Sequence, residues 1–309
     1  MTFKRIGILS IGEMGFHWAR LLRDSNVEVL TFDKNRSLLT RQRAANAGVN
    51  CVPSMAALVS ASDLIVSLVV PSAARQVAAE LGSAISGIKS EGLYFLDANA
   101  ISPMTAKEIR CMLADLPVAF IDGCIIGSSD KLQRDTVLYV SGPEADKMEG
   151  LRTYGFSVRT LGPEIGQASA FKIIYAGLTK GLQGLLTELL VGAKRLNLLD
   201  QLIECYDERF PGLVAKVGRG ISALPVHAGR RAQEMAELEQ TLQHYGLSSE
   251  MAPATRKVLE SIAALGLAKA AADGTRRGTL QETLTLLGEY GLLTKNDPKK
   301  EREHGGDGS

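Results

Sequence analysis

The chain has almost no net charge. Its 35 Lys and Arg stand against 34 Asp and Glu over 309 residues, which gives no electrostatic case for a nucleic-acid partner or an anionic membrane surface. Cysteine is scarce. Cys51, Cys111, Cys124 and Cys205 are scattered without a CxxC pair, which argues against a disulfide frame or zinc site and fits free thiols in a reducing compartment. The four histidines lie far apart, so no metal is expected. No apolar stretch reaches the roughly 20 residues of a membrane helix. The short apolar run within residues 1–11 passes into glycines and charge with no cleavage-like site, so no signal peptide is expected. There is no internal repeat. A soluble cytoplasmic protein is the expectation, with 45% hydrophobic residues and a length that accommodates two ordinary domains.

What is present in the first half is alternation. Short β-type runs, RIGILSI (5–11), VEVLTF (27–32), LIVSLVV (64–70), LYFLDA (93–98) and VAFID (118–122), are separated by helical segments such as 13–24 and 38–48. Near-continuous apolar strands joined by helices predict a parallel sheet covered on both faces. TVLYVSG (136–142) and SVRTLG (157–162) read as late strands closing it. After Gly162 the apolar spacing becomes helical, over 166–195, 198–209, 225–245, 252–272 and 279–292. The predicted organisation is an α/β Rossmann-type doubly wound domain over 1–163, an all-α domain over 164–293, and a polar tail over 294–309 expected to be disordered.

The first turn carries the first chemical signal. A dinucleotide fingerprint reads G-x-G-x-x-G between a strand and a helix, and this chain has Ser10, Gly12 and Gly15 there. Gly12 would let the backbone approach a pyrophosphate, and Gly15 would let helix and strand pack closely. The second strand run is followed by Asp33, an acid at the distance expected for bonding the adenosine ribose, which favours NAD. Arg36 and Ser37 follow at once and suit the 2′-phosphate of NADP. Asp33 directly abuts the strand and tips the expectation toward NAD. Asn99 and Ser102 follow a strand end, where such sheets hold ligands, although Ser102 before Pro103 also reads as turn chemistry.

In GQASAFKIIYAGLTKG (166–181), a lysine sits among Phe171, Ile173, Ile174 and Leu178. Helical spacing puts Lys172, Tyr175, Thr179 and Gln183 along one face, and Phe171, Ile174, Leu178, Leu182 and Leu185 on another. Lys180 falls off the first face and is expected to be solvated.

These pieces, in order, resemble the β-hydroxyacid dehydrogenase superfamily, which includes 6-phosphogluconate and 3-hydroxyisobutyrate dehydrogenases. IGILSIGEMG resembles its cofactor loop, SLVVPSAA (67–74) the loop after the fourth strand, and DANAISP (97–103) the segment passing the nicotinamide. DGCIIGS (122–128) stands where the family has its substrate-binding DAPVSGG. The 166–181 stretch resembles the block with the catalytic lysine. The resemblance covers roughly the first 185 residues. PVHAGRRAQEMAELEQTLQHYG (225–246) resembles a poorly characterised helical domain of phosphogluconate-dehydrogenase-like proteins. The chain departs from the family at Ser10, at Ile126 and Ser128 in the substrate block, and at Ala168 and Ala176 in the lysine block, where the family has a glycine and an asparagine.

The resemblance implies an NAD(P)-dependent oxidoreductase acting on a hydroxyacid or related polyol acid, or its carbonyl form. Lys172 would be the general acid/base. Burial would lower a lysine's ordinary pKa of about 10.4 toward useful proton transfer. It also implies cofactor contacts from Ser10, Ile11, Gly12, Glu13, Met14, Gly15, Asp33, Arg36, Val69, Val70, Pro71 and Asn99. Ser102, Gly127, Ser128, Tyr175 and Thr179 would face the substrate. Arg231 could bind a carboxylate or phosphate, though His227, Arg230 and Glu234 around it equally suit a solvated face with an Arg230–Glu234 pair. A homodimer through the helical domain is implied as well. The competing expectations are an NADPH-dependent imine or ketone reductase and a dinucleotide-binding regulator with a silent site.

Overall fold

A computed structural model describes residues 2–32, 34, 36–87, 92–267 and 278–289. The chain divides into two compact units, Met1–Ile174 and Tyr175–Ser309. In the first, strands β1 (Arg5–Leu9), β2 (Glu28–Thr31), β3 (Asn50–Cys51), β4 (Leu64–Ser67), β5 (Leu93–Asp97), β6 (Val118–Ile126), β7 (Val137–Ser141) and β8 (Ser157–Gly162) form one sheet. Its order is β3-β2-β1-β4-β5-β6-β7-β8. The first six strands run parallel, β7 is antiparallel to β6, and β8 is parallel to β7. Helices α1 (Glu13–Asp24), α2 (Leu38–Asn46), α3 (Met55–Ala61), α4 (Ala74–Ser86) and α5 (Pro103–Met112) make the crossovers. This is the doubly wound α/β architecture that the alternating sequence predicts.

Both faces are covered, which is why the strands lack alternation in polarity. Leu64, Val66, Leu96 and Ile121 bury into one core together with Trp18 and Leu22 of α1. Ile65, Phe95 and Phe120 bury into the opposite core with Val77 and Leu81 of α4 and Ile109 of α5. β6 runs on to Ile126, so the DGCII segment is strand, held by pairing with β7. Strand order reverses between β1 and β4, where open α/β sheets hold ligands at their carboxyl ends.

Helix α6 (Gln167–Arg195) begins near the expected change of composition. Its first two turns nevertheless belong with the sheet unit, with Phe171 stacked on Tyr139 at 4.6 Å between centroids. The boundary between units thus falls at 174/175, beyond the 163/164 change of composition. The second unit also holds α7 (Leu199–Arg209), α8 (Leu213–Ile221), α9 (Leu224–His244), α10 (Met251–Ala264) and α11 (Leu280–Glu289). The sequence reading passed over α8. Its two glycines weaken helix propensity, but Val214, Val217, Gly218 and Ile221 bury one face at helical spacing. Residues 265–272, read as more helix, lie partly outside the described residues, as does the whole 294–309 tail.

One side-chain expectation on α6 fails. Lys180 is not solvated. It pairs with Glu234 at 2.8 Å, both largely buried, and Glu234 also pairs with Arg230. The apolar face around Lys172 is only partly covered. Ile173 and Ala176 are buried, but Phe171, Ile174 and Leu178 are exposed, Leu178 by 67%. Helical periodicity identifies an apolar face without saying what covers it. No described helix is long and apolar enough to cross a membrane.

Candidate active site

The sheet's carboxyl edge gathers many of the candidate residues. Leu9, Ser67, Asp97, Asp122 and Ser141 are successive register partners across β1, β4, β5, β6 and β7. The loops after β1, β4 and β5 leave next to that row, while Gly127–Ser128 follows the extended end of β6.

Ser10, at the first fingerprint position, takes φ 78°, the left-handed conformation that glycine usually supplies. The residue differs from the fingerprint while the turn is kept. A Cβ on Gly15 would lie 2.4 Å from the Ser10 carbonyl oxygen, so α1 and β1 need glycine to meet. A Cβ on Gly12 would meet nothing nearer than Ser10 Oγ at 3.9 Å. Gly12 is the N-cap of α1 and offers no side-chain cap, so it supplies no side-chain acceptor to the first-turn N–H groups of Glu13, Met14 and Gly15. That is the donor set and clearance a pyrophosphate needs, so these residues fit a dinucleotide. Ile11 is buried, and Glu13 accepts from Ser129 Oγ at 2.9 Å. Asp33 lies outside the described residues. Arg36 is half-buried, and its Nε has no hydrogen-bond partner among the described residues.

The next two loops are tied together by Asn99. Its side-chain oxygen accepts from Val69 N at 2.7 Å, and its Nδ2 donates to Ser67 Oγ at 2.9 Å. Asn99 is buried, and its geometry is that of a brace holding the Val69–Val70–Pro71 loop. Val70 is 65% exposed beside that brace, and Pro71 opens a short 3-10 turn. Ser102 is buried and caps α5, accepting from Thr105 N at 3.2 Å. Its hydroxyl is therefore occupied by turn chemistry.

Two adjacent carboxyls lie beneath. Asp97 and Asp122 are register partners, both almost wholly buried. Asp97 Oδ1 accepts from Asn99 N, and its Oδ2 has no partner among the described residues. Burial, with Asp122 nearby, pushes Asp97 up to about 7. Burial pushes Asp122 up too, but four donors oppose it. Ser141 Oγ (2.9 Å), Gly166 N (3.0 Å) and Ser169 N (3.1 Å) reach Oδ2, and Ser169 Oγ (2.6 Å) reaches Oδ1. A donor-only shell suits the ionised form of Asp122, whereas Asp97, with one backbone donor and an unpartnered Oδ2 among the described residues, suits the protonated form.

Lys172, half-buried, donates from Nζ to Ile125 O at 2.6 Å. Two residues on, Gly127 takes φ 134°, and a Cβ there would lie 2.4 Å from Thr136 Oγ1. Ser128 is exposed and donates to Asp130, whose carboxyl that bond holds below its usual range. Cys124, buried beside the lysine, is pushed up to about 12 by burial. It is an inert thiol. Thus Lys172 is held on the Ile125 carbonyl, two residues before Gly127. Tyr175, Thr179 and Arg231 belong to the second unit. Tyr175 is exposed, Thr179 bonds back to Ala176 O, and the buried Arg231 donates to Gln183 Oε1 (2.9 Å) and Gly220 O (2.8 Å).

Residues 5–153 match the family model of the NAD binding domain of 6-phosphogluconate dehydrogenase, and residues 193–262 match one called a domain of unknown function (DUF1932). A Methanothermus fervidus protein, named an uncharacterized 28.5 kDa protein in the 7S RNA 5′ region, is 30% identical over 262 residues, 84% of this chain and 98% of that one. A solved conserved protein of unknown function, described as structurally similar to 3-hydroxyacid dehydrogenases, is 28% identical with a TM-score of 0.68, covering 84% of this chain and 96% of its own. This chain belongs to the β-hydroxyacid dehydrogenase superfamily. The Mycobacterium tuberculosis 3-hydroxyisobutyrate dehydrogenase shares the fold at 16% identity and a TM-score of 0.70, covering 93% of this chain and 99% of that one. Imine reductases share it at 16–18% identity, with TM-scores of 0.53–0.58.

In this β-hydroxyacid dehydrogenase relative with an NAD(P)-binding fold, several polar residues around the candidate site were not singled out from the motifs. Ser67, Asp97 and Ser169 lie inside the quoted blocks and Ser141 in the β7 run, but none was singled out, although they organise the loops and the start of the lysine helix. Their one legible signal was polarity inside otherwise apolar strand and helix runs.

Proposed function

We propose that this protein is an NAD(P)-dependent oxidoreductase that transfers a hydride between a nicotinamide cofactor and a hydroxyacid or related polyol acid, or its carbonyl form. The observation that carries this reading is Lys172 Nζ held at 2.6 Å on the Ile125 carbonyl, two residues before the Gly127–Ser128 block. The cofactor, when bound, supplies the hydride acceptor or donor. The chain's part is to hold the dinucleotide with the first turn of α1 and the Val69–Pro71 loop, braced by Asn99. Lys172 takes the proton from the substrate hydroxyl as its carbon is oxidised, and returns it in the reverse direction. The Gly127 and Ser128 segment is exposed and suits the polar end of a small acid. NAD is the proposed dinucleotide, supported by the acid at position 33, with Arg36 as the feature that would favour NADP.

Besides the small-molecule substrate, the second partner in this reading is another copy of the chain, joined through the helical unit. The exposed leucines of α6 support it. The test of the catalytic reading is Lys172→Met, assayed with NAD and NADP over a panel of hydroxyacids. A loss of roughly 10²–10⁴ in kcat is expected for a general acid/base, and an unchanged kcat overturns the lysine's role.

A further inference from the structure

Asp122 sits on β6 three residues before Ile125, and its carboxylate collects the start of α6. Gly166 N, Ser169 N and Ser169 Oγ all donate to it. Ser141 Oγ also donates to it while accepting from Ala168 N at 3.0 Å. The first-turn donors of a helix that would otherwise end unpaired in the protein interior are therefore satisfied by one strand carboxylate and its serine. An anion there also opposes the positive end of the helix dipole. Lys172 follows Ser169 by three residues, on the adjoining turn of the same side of α6. Its Nζ then meets Ile125 O on the strand that bears Asp122. Strand and helix are thus clamped at two points, the carboxylate fixing how α6 is seated and the lysine closing the clamp.

Resting on the proposed role of Lys172, we infer that Asp122 is the positioning residue of that lysine. It seats the first turn of α6 and supplies the nearby negative charge, and both govern where Lys172 Nζ lies and how readily it gives up its proton. Asp122 does not touch the reacting atoms in this scheme. Asp97 on β5 and Cys124 on β6 are the titratable groups that Asp122 acts on, and Lys172 acts on the same Cys124. Asp97→Asn therefore serves as the control for a neighbouring carboxyl.

The test uses the full chain labelled with ¹³Cε-lysine. The Lys172 resonance is assigned by its absence in Lys172→Met and titrated in wild type, Asp122→Asn and Asp122→Ala. Loss of the charge is expected to lower the Lys172 midpoint by roughly one pH unit. In Asp122→Ala, which also unseats the start of α6, kcat should fall about tenfold or more, and NADH affinity should stay within about threefold. Should Asp122→Ala fail to fold, Asp122→Asn decides alone, since its amide oxygen can still accept from the helix N–H groups. A midpoint in Asp122→Asn within about 0.3 of wild type overturns the inference. That readout needs no turnover. An unchanged kcat in Lys172→Met would sink the catalytic reading, while the midpoint shift would still decide what Asp122 does.

Discussion

A methyl group on Gly15 would lie 2.4 Å from the carbonyl oxygen of Ser10. That closeness aligns the first turn of α1 with the end of β1, so Gly15→Ala must push helix and strand apart. Overpacking of this kind costs about 1–3 kcal/mol. The expected outcome is a lower unfolding temperature together with at least tenfold weaker NADH binding, measured by calorimetry and fluorescence titration. Weakened stability with unaltered NADH affinity would mean that the α1 turn does not hold the dinucleotide.

Arg36 gives a separate handle on cofactor choice. Its Nε has no hydrogen-bond partner among the described residues, although the side chain is half-buried. An arginine in the loop just after β2 suits a 2′-phosphate. In Arg36→Ala, NADPH affinity should fall about tenfold or more while NADH affinity changes by less than about threefold. Equal losses for both dinucleotides would remove Arg36 from 2′-phosphate recognition.

Much of this was legible in the sequence, for identifiable reasons. The strands of the sheet unit declared themselves because burial on both faces leaves apolar runs such as LIVS in β4. The Ser10 turn was legible through Gly12 and Gly15, although the left-handed backbone at a serine needed coordinates. What stayed hidden were relationships at long separation. Asp122 meets Ser169 across 47 residues, and Lys172 reaches Ile125 across the same interval. No local pattern encodes such pairings. Ser102 shows the opposite limit, since a strand-end serine before proline suits both substrate binding and capping, and its hydroxyl caps α5. Helical spacing also could not tell a core face from an uncovered one on α6, because both need the same apolar periodicity.

Asp97 predicts a pH dependence of stability. Its native pKa is pushed to about 7, above the unfolded value near 3.9. Between those values the folded chain binds a proton that the unfolded chain has released, so stability falls as pH rises through that window and the loss is complete above it. The contribution is on the order of a few kcal/mol. Asp97→Asn keeps the acceptor for Asn99 N and removes the ionisation. The variant should gain several degrees in Tm on wild type at pH 8 relative to pH 5. Parallel Tm–pH curves for the two proteins would contradict the buried-proton assignment.

The uncovered face of α6 predicts the state of assembly. Leu178, Leu185 and Leu189 are all exposed, at spacings of seven and four residues that keep them on one side of the helix, and Leu196 just past its end is exposed too. At a rise of about 1.5 Å per residue the helical stripe runs roughly 16 Å. An apolar surface of that length left in water is costly, and a two-fold axis lets two identical stripes bury each other. Light scattering should therefore give a mass of twice the 33.1 kDa chain at micromolar concentration. Leu185→Arg combined with Leu189→Glu should yield monomer with little change in far-ultraviolet circular dichroism, because both side chains point to solvent in the single chain. A wild-type protein that stays monomeric at tens of micromolar, or a double variant that stays dimeric, would show that α6 does not carry the interface.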